Sequence, residues 1–227
     1  MFRVISFFLL SQVKLLCSVF YRYEAKFLDT LDKKPWDDVN LIVFLNHTSL
    51  FEPLFIRLAP YSFIWRLSSD LVAPGADITM ERPVAGKFIK ALLPGLVPIS
   101  RKKDETWQRF LNMVSHNRIV GIIPEGRMMR KNGLDKHGKP MTVRGGVAEV
   151  LDKLKSGKIL FVYSGGLHHI QSPGEKLPRL FKRIKANMEF VDIEHYKSRL
   201  SSENLKEFKQ KVIADMEHRL KQLVPKD

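Results

Sequence analysis

Apolar residues along this chain fall into two kinds of stretch. Short unbroken runs at 41–45, 96–99, 119–123 and 158–163 have the length and content of buried strands. Residues 62–67 and 187–193, each broken by polar residues, also read as strands. Between them the spacing turns helical. Residues 84–93 carry Phe88, Ile89, Leu92 and Leu93 on one side, and 105–117 carry Trp107, Phe110, Leu111 and Val114 behind an Asp104 N-cap. Helices are also predicted over 53–59, stopped by Pro60, and over 143–155. A final helix, capped by Ser201 or Ser202, bears the stripe Leu205, Phe208, Val212, Met216, Leu220 and Leu223. Strands alternating with helices predict an α/β fold, with a mostly parallel central sheet flanked by helices. Sites in such sheets lie at the carboxyl ends of the strands. The polar stretch 131–140, with Gly133 and Gly138, reads as a flexible loop over that end.

The N-terminal stretch is different. Residues 2–20 are rich in Phe, Leu and Val, yet Lys14 lies near the middle, where a membrane-spanning helix would disfavour it. On a helix Ile5, Phe8, Leu9, Gln12, Leu15, Leu16 and Val19 fall together, with Lys14 off that line. This predicts an amphipathic helix at a membrane interface, not crossing it. A core helix and a signal peptide are the alternatives, and no small-x-small cleavage site follows the apolar run. The mixed-charge stretch 21–36 reads as a second short helix ending before Pro35. The expected organisation is a helical membrane-association segment over 1–36 and an α/β domain over 37–227.

Composition narrows the partners. The formal net charge is +14, which attracts anions: nucleic acid, anionic lipid, phosphorylated substrates or an acidic carrier protein. A single cysteine, Cys17, excludes an internal disulfide and a Cys-based metal cluster, and fits a reducing compartment. The adjacent His168 and His169 point to opposite faces of an extended chain, a poor arrangement for one metal. No nucleic-acid fold signature appears, so no nucleic-acid partner is expected.

The chemistry concentrates at Asn46-His47-Thr48-Ser49-Leu50-Phe51-Glu52-Pro53. The strand 41–45 precedes it, and Pro53 has the fixed φ of a first helical residue. His47 therefore sits in a strand-to-helix turn with Glu52 at the helix start. A carboxylate so placed can fix the imidazole tautomer and stabilise the imidazolium, making His47 a general base. Taken alone, each residue also has a plain role: packing at a strand end for the histidine, and favourable placement on a helix dipole for the acid. Arg101 follows the run 96–99, and Pro124-Glu125-Gly126-Arg127 follows 119–123, so three strand ends bring chemistry together.

These three stretches, in this order, resemble the glycerolipid acyltransferase family that includes 1-acyl-glycerol-3-phosphate acyltransferase. Asn46, His47 and Glu52 match its Asn-His-x-x-x-x-Asp motif, with Glu in place of Asp. Gly95, Ile99 and Arg101 match its Gly-x-x-x-Ile-x-Arg strand. Pro124, Glu125 and Gly126 match its Phe-Pro-Glu-Gly-Thr-Arg-Ser block, with Arg127-Met128-Met129 where Thr-Arg-Ser is usual. Arg144-Gly145-Gly146 and the strand 159–163 resemble its later blocks. The similarity spans about residues 41–166.

The resemblance implies acyl transfer from a thioester, acyl-CoA or an acylated carrier protein, to the hydroxyl of a lysophospholipid, first of all 1-acyl-glycerol-3-phosphate. It implies His47 and Glu52 as the catalytic pair, and Arg101, Glu125, Gly126 and Arg127 as substrate-binding residues. Neither metal nor cofactor is called for. The expected location is a membrane surface on the cytoplasmic side, held peripherally or monotopically. Rival readings are transfer to another lysolipid, a catalytically degenerate lipid-binding protein, or a basic binding protein without catalysis. The last explains the charge but leaves three ordered motifs unaccounted for.

Overall fold

The computed structural model describes residues 2–31, 34–81, 85–100, 104–115, 117–175 and 177–226. Among them the strands are β1 (Arg22–Phe27), β2 (Val39–Leu45), β3 (Leu71–Ala76), β4 (Leu96–Ile99), β5 (Ile119–Ile122), β6 (Lys158–Ser164) and β7 (Arg183–Asp192). The helices are α1 (Phe2–Phe20), α2 (Tyr61–Asp70), α3 (Asp77–Met80), α4 (Ala85–Leu92), α5 (Glu105–Met113), α6 (Gly146–Lys153), α7 (Ile193–Arg199) and α8 (Leu205–Gln222), with 3₁₀ turns at Trp36–Asp38 and Glu52–Leu58. The strands form one sheet in the order β1-β7-β6-β2-β5-β3-β4. Every described pair is parallel except β6–β7.

β2 and β6 are buried on both faces, which is why they read as unbroken apolar runs. On one face Leu41, Val43, Val120, Phe161 and Tyr163 pack against α5, α6, α7 and α8. On the other, Ile42, Leu160, Val162, Ile184 and Met188 pack against α1, α2, α4 and the 3₁₀ turn Glu52–Leu58. Asn46 follows β2, and Ser164 closes the parallel β6 at the same end. β7 runs back from that end, so it starts there at Arg183, and the parallel β1 starts there at Arg22. The C-terminus of α1, at Phe20, therefore lies at the His47 end of the sheet.

Several expectations change. The stretch 21–36 is no helix. Tyr23, Ala25 and Phe27 alternate inward along β1, and pairing with β7 outweighs the helix-like charge mixture. The expected helical segment over 1–36 is thus helical only to Phe20 and then becomes the sheet's edge. Residues 62–67 are helical, within α2; Phe63, Ile64 and Leu67 share its buried face, and the strand comes afterwards as β3. β7 starts four residues before 187 and runs antiparallel to β6. The final helix is capped by Asn204, not Ser201 or Ser202, and its Leu205 is exposed.

The loop 131–140 is tied down, not free. Asp135 is buried and accepts the backbone N–H groups of His137 (2.8 Å) and Lys139 (2.9 Å). Arg130 N–H donates to Leu134 O at 2.8 Å, and Leu134 bridges Pro140.

Candidate active site

The turn after β2 is held open by a carboxylate from the neighbouring strand. Asn46 takes φ 69°, a left-handed conformation that asparagine tolerates better than most residues. Its side-chain amide donates to Ser164 O at 2.7 Å. Glu125, just past β5, accepts the backbone N–H of Asn46 at 3.0 Å and of His47 at 2.7 Å, one on each oxygen. Glu125 is buried, and both its oxygens are used in fixing this turn. Gly126 takes φ 59°, and a Cβ there would lie 3.2 Å from Arg144 Cδ. Arg144 lies over this peptide, and its N–H donates to Pro124 O at 2.9 Å.

His47 Nδ1 lies 2.9 Å from Glu52 Oε1, which also accepts the Ser49 N–H at 3.3 Å. A carboxylate only accepts, so Nδ1 carries the hydrogen and neutral His47 presents its lone pair at Nε2. Among the described residues Nε2 has no hydrogen-bond partner, and the side chain is 13% exposed. Burial disfavours the charged ring, but Glu52, with Glu125 behind it, outweighs that and raises the imidazole pKa above its ordinary value. Burial likewise raises the carboxyl of Glu125, against the pull of the two amides it accepts. The geometry is that of a base whose tautomer is set from behind and whose other nitrogen is left without a partner among the described residues.

A second layer closes around this corner. His47 O accepts Met129 N–H at 2.7 Å, and His168 Nε2 donates to Met129 O at 2.8 Å. Thr48 Oγ1 accepts Leu167 N–H at 2.8 Å, and Ser49 Oγ donates to Gln171 Oε1 at 2.8 Å. His169 bonds Arg183 O, so the two adjacent histidines serve two different carbonyls. Arg127 Nη1 pairs with Asp135 at 2.6 Å, leaving its side chain about one-third exposed. The amides of Lys139 and His137, with the Arg127 guanidinium, hold Asp135 at a pKa of about 2 despite its burial. One residue past Met129, a cavity of about 380 Å³ opens between residues 130–132 and 172–175, with Arg130 and Lys131 on its wall. Arg101 lies outside the described residues.

Of the sequence-derived site residues, His47, Glu52, Glu125, Gly126 and Arg127 all belong to this corner. Sequence reasoning missed Asp135 and Gln171, and weighed His168 only as half of a metal pair. For Asp135 a signal existed: Asp135-Lys136-His137-Gly138 has Asp and Gly at the ends of a type I turn.

Among known proteins, the family model described as Acyltransferase matches residues 26–166. No curated protein matches. Among solved structures, the crystal structure of the 1-acyl-sn-glycerophosphate (LPA) acyltransferase PlsC from Thermotoga maritima is similar. It has a TM-score of 0.54 and 16% identity, over 94% of this chain and 80% of that one. That likeness carries the fold. The family match takes in more than half of the chain and contains His47, Glu52 and Glu125, so the chain belongs to the acyltransferase family and is an acyltransferase enzyme.

Proposed function

We propose that this acyltransferase moves a fatty acyl group from a thioester to the hydroxyl of a lysophospholipid, with 1-acyl-glycerol-3-phosphate the first candidate acceptor. The observation that carries the reading is the Glu52–His47 pair, in which Nδ1 is engaged by the acid and Nε2 has no hydrogen-bond partner among the described residues. His47 Nε2 takes the acceptor's hydroxyl proton as that oxygen attacks the thioester carbonyl carbon. The tetrahedral intermediate collapses with loss of the C–S bond, and the imidazolium returns the proton to the leaving thiolate. Glu52 stabilises the imidazolium in between. No nucleophilic side chain is required, and Cys17, buried in α1, takes no part.

The donor is acyl-CoA or acylated carrier protein; both are anionic, as the basic surface favours. Arg127, steadied by Asp135, and Arg101, two residues past β4 in sequence, bind the acceptor phosphate through paired guanidinium donors. Arg130 and Lys131, on the wall of the neighbouring cavity, favour a phosphate-bearing substrate there. Glu125 and Gly126 shape the floor of the substrate site by fixing the His47 turn.

The enzyme works at a membrane surface, on its cytoplasmic face. Ile5, Phe8, Leu15, Leu16 and Val19 of α1 are exposed, whereas Lys14 points inward and caps the carbonyls of Arg57 and Ala59, both at 2.7 Å. An apolar face turned outward suits the bilayer interface.

The test is a product survey with purified protein, a mixture of lysolipids and one labelled acyl thioester. Labelled phosphatidic acid that forms with wild type and not with His47→Ala is the expected result. Label appearing only as free fatty acid, or equal transfer by both proteins, would overturn the reading.

A further inference from the structure

The loop between β6 and β7 ends in Leu177-Pro178-Arg179-Leu180-Phe181-Lys182-Arg183, where apolar and basic residues interleave. Leu177 is 80% and Phe181 73% exposed, and Leu180 is exposed as well. Phe181 takes φ 58°. A bulky side chain in the left-handed region is an outlier that needs support. The support comes from α1: Phe181 N–H donates to Phe20 O at 2.8 Å, and the two rings meet edge to face with centroids 5.7 Å apart. A strained backbone thus holds an aromatic ring out into solvent, against the end of the helix whose outer face is itself apolar.

The same loop is wired to the catalytic turn. Ser49 Oγ donates to Gln171, whose amide donates to Glu175 O at 2.6 Å. Arg179 N–H returns to Ile170 O at 2.7 Å. β7 starts at the His47 end of the sheet, so the loop rims the site. Leu50, inside the catalytic turn, adds a further exposed apolar side chain there. Around them Arg179, Lys182 and Arg183 are exposed; Arg179 pairs with Glu175 and Arg183 with Glu24, and the Lys182 ammonium has no ion-pair partner among the described residues. Scattered exposed leucines are ordinary, but a contiguous apolar patch ringed by basic residues marks a surface that meets something. Its continuity with α1 and its positive rim fit one occupant, a bilayer bearing anionic lipid.

We propose that residues 177–183 form a second membrane-inserting element, which with the outer face of α1 seats the His47 end of the sheet on an anionic bilayer. This deepens the membrane part of the functional reading and rests on it. Two contacts, one along the outer face of α1 and one at the loop beside its C-terminal end, fix the tilt of the domain better than α1 alone. The acceptor's hydroxyl then reaches His47 with its acyl chain still in the lipid.

Cys17 is 1% exposed, so Leu177→Cys supplies an accessible thiol for an environment-sensitive fluorophore. On vesicles of mixed phosphatidylcholine and phosphatidylglycerol the probe should brighten by about threefold and shift to the blue. Nitroxide-bearing acyl chains should quench it. A Leu177→Ser, Phe181→Asn protein keeps its fold, because asparagine accepts the left-handed φ, and should bind these vesicles about tenfold more weakly. Full vesicle binding with a silent probe at 177 overturns the proposal while leaving the α1 reading standing. Wild type that ignores vesicles overturns both. A probe that responds to an acidic carrier protein and not to lipid overturns it in favour of a protein-docking loop. A probe that inserts in a protein without acyl transfer supports the proposal and counts against the functional reading.

Discussion

Two buried polar clusters sit on this sheet, and they are built to opposite rules. In the C-terminal cluster Arg219, only 6% exposed, lies over the rings of Phe161 and Tyr196. It donates to Glu189 at 2.6 Å, Asp215 at 2.7 Å and Tyr163 Oη at 2.8 Å, and Tyr196 Oη donates to Asp215 at 2.7 Å. The guanidinium charge is neutralised, its Nε and Nη1 hydrogens are engaged, and α8 is clasped to β6 and β7. Burial works against its charge, but Tyr163, Asp215 and Glu189 outweigh it and hold Arg219 protonated. At the His47 corner two carboxylates face one imidazole, and Nε2 of that ring is left without a partner among the described residues. A satisfied cluster stabilises; an unsatisfied, partly open one is free to exchange a proton with a substrate.

Mutation should separate the two. His47→Ala should lower acyl transfer by about 10³-fold, with thioester binding and melting temperature nearly unchanged. Steady-state kinetics and calorimetry on the same preparation check this. Arg219→Ala should do the reverse. It strands two carboxylates and costs about 3 kcal/mol, lowering Tm by roughly 6–12 °C, while activity per folded molecule persists below the transition. Equal effects of both changes on activity and Tm would erase the distinction.

Glu125→Gln should fall between these limits. Its amide group would meet one of two backbone N–H donors it cannot satisfy, at about 2 kcal/mol, so both stability and turnover drop. Asp135→Ala should be milder. Arg127 loses its anchor, and the KM for a phosphate-bearing acceptor should rise by about threefold with turnover kept. The smallest effect is on stability against pH. A raised imidazole pKa stabilises the fold fully below its unfolded value of about 6.5, and that gain is lost as pH rises through the folded value. The Tm advantage of wild type over His47→Gln should therefore fade as pH rises through that window.

The same contrast explains what the sequence could and could not reveal. His47 and Glu52 are five residues apart in one turn, so their pairing is a local matter and readable. Glu125 is different. Its place in a Pro-Glu-Gly turn was visible, but its grip on the amides of Asn46 and His47 depends on β5 lying beside β2. No spacing along the chain reports strand order. The Arg219 cluster joins α8 to β6, β7 and α7; the stripe of that helix was readable as core at Phe208, Val212, Met216 and Leu220, but Arg219 beside it was not. β1 was misread because an edge strand tolerates the Arg, Glu and Lys that alternate with its inward residues. α2 was misread because Phe, Ile and Trp favour strands, and the buried face that overrides them comes from packing on α1, β5 and the 3₁₀ turn at Trp36–Asp38.

In the proposed mechanism Glu52 sets both the tautomer and the basicity of His47. The pH–rate profile of acyl transfer by wild type and Glu52→Gln tests it most directly. In wild type the rate should rise with pH as His47 loses its proton at a pKa above that of ordinary imidazole. Removing the negative charge should move that acidic limb to lower pH and lower the plateau by about 10²-fold. A limb that stays in place, with the plateau intact, would mean that Glu52 sets neither.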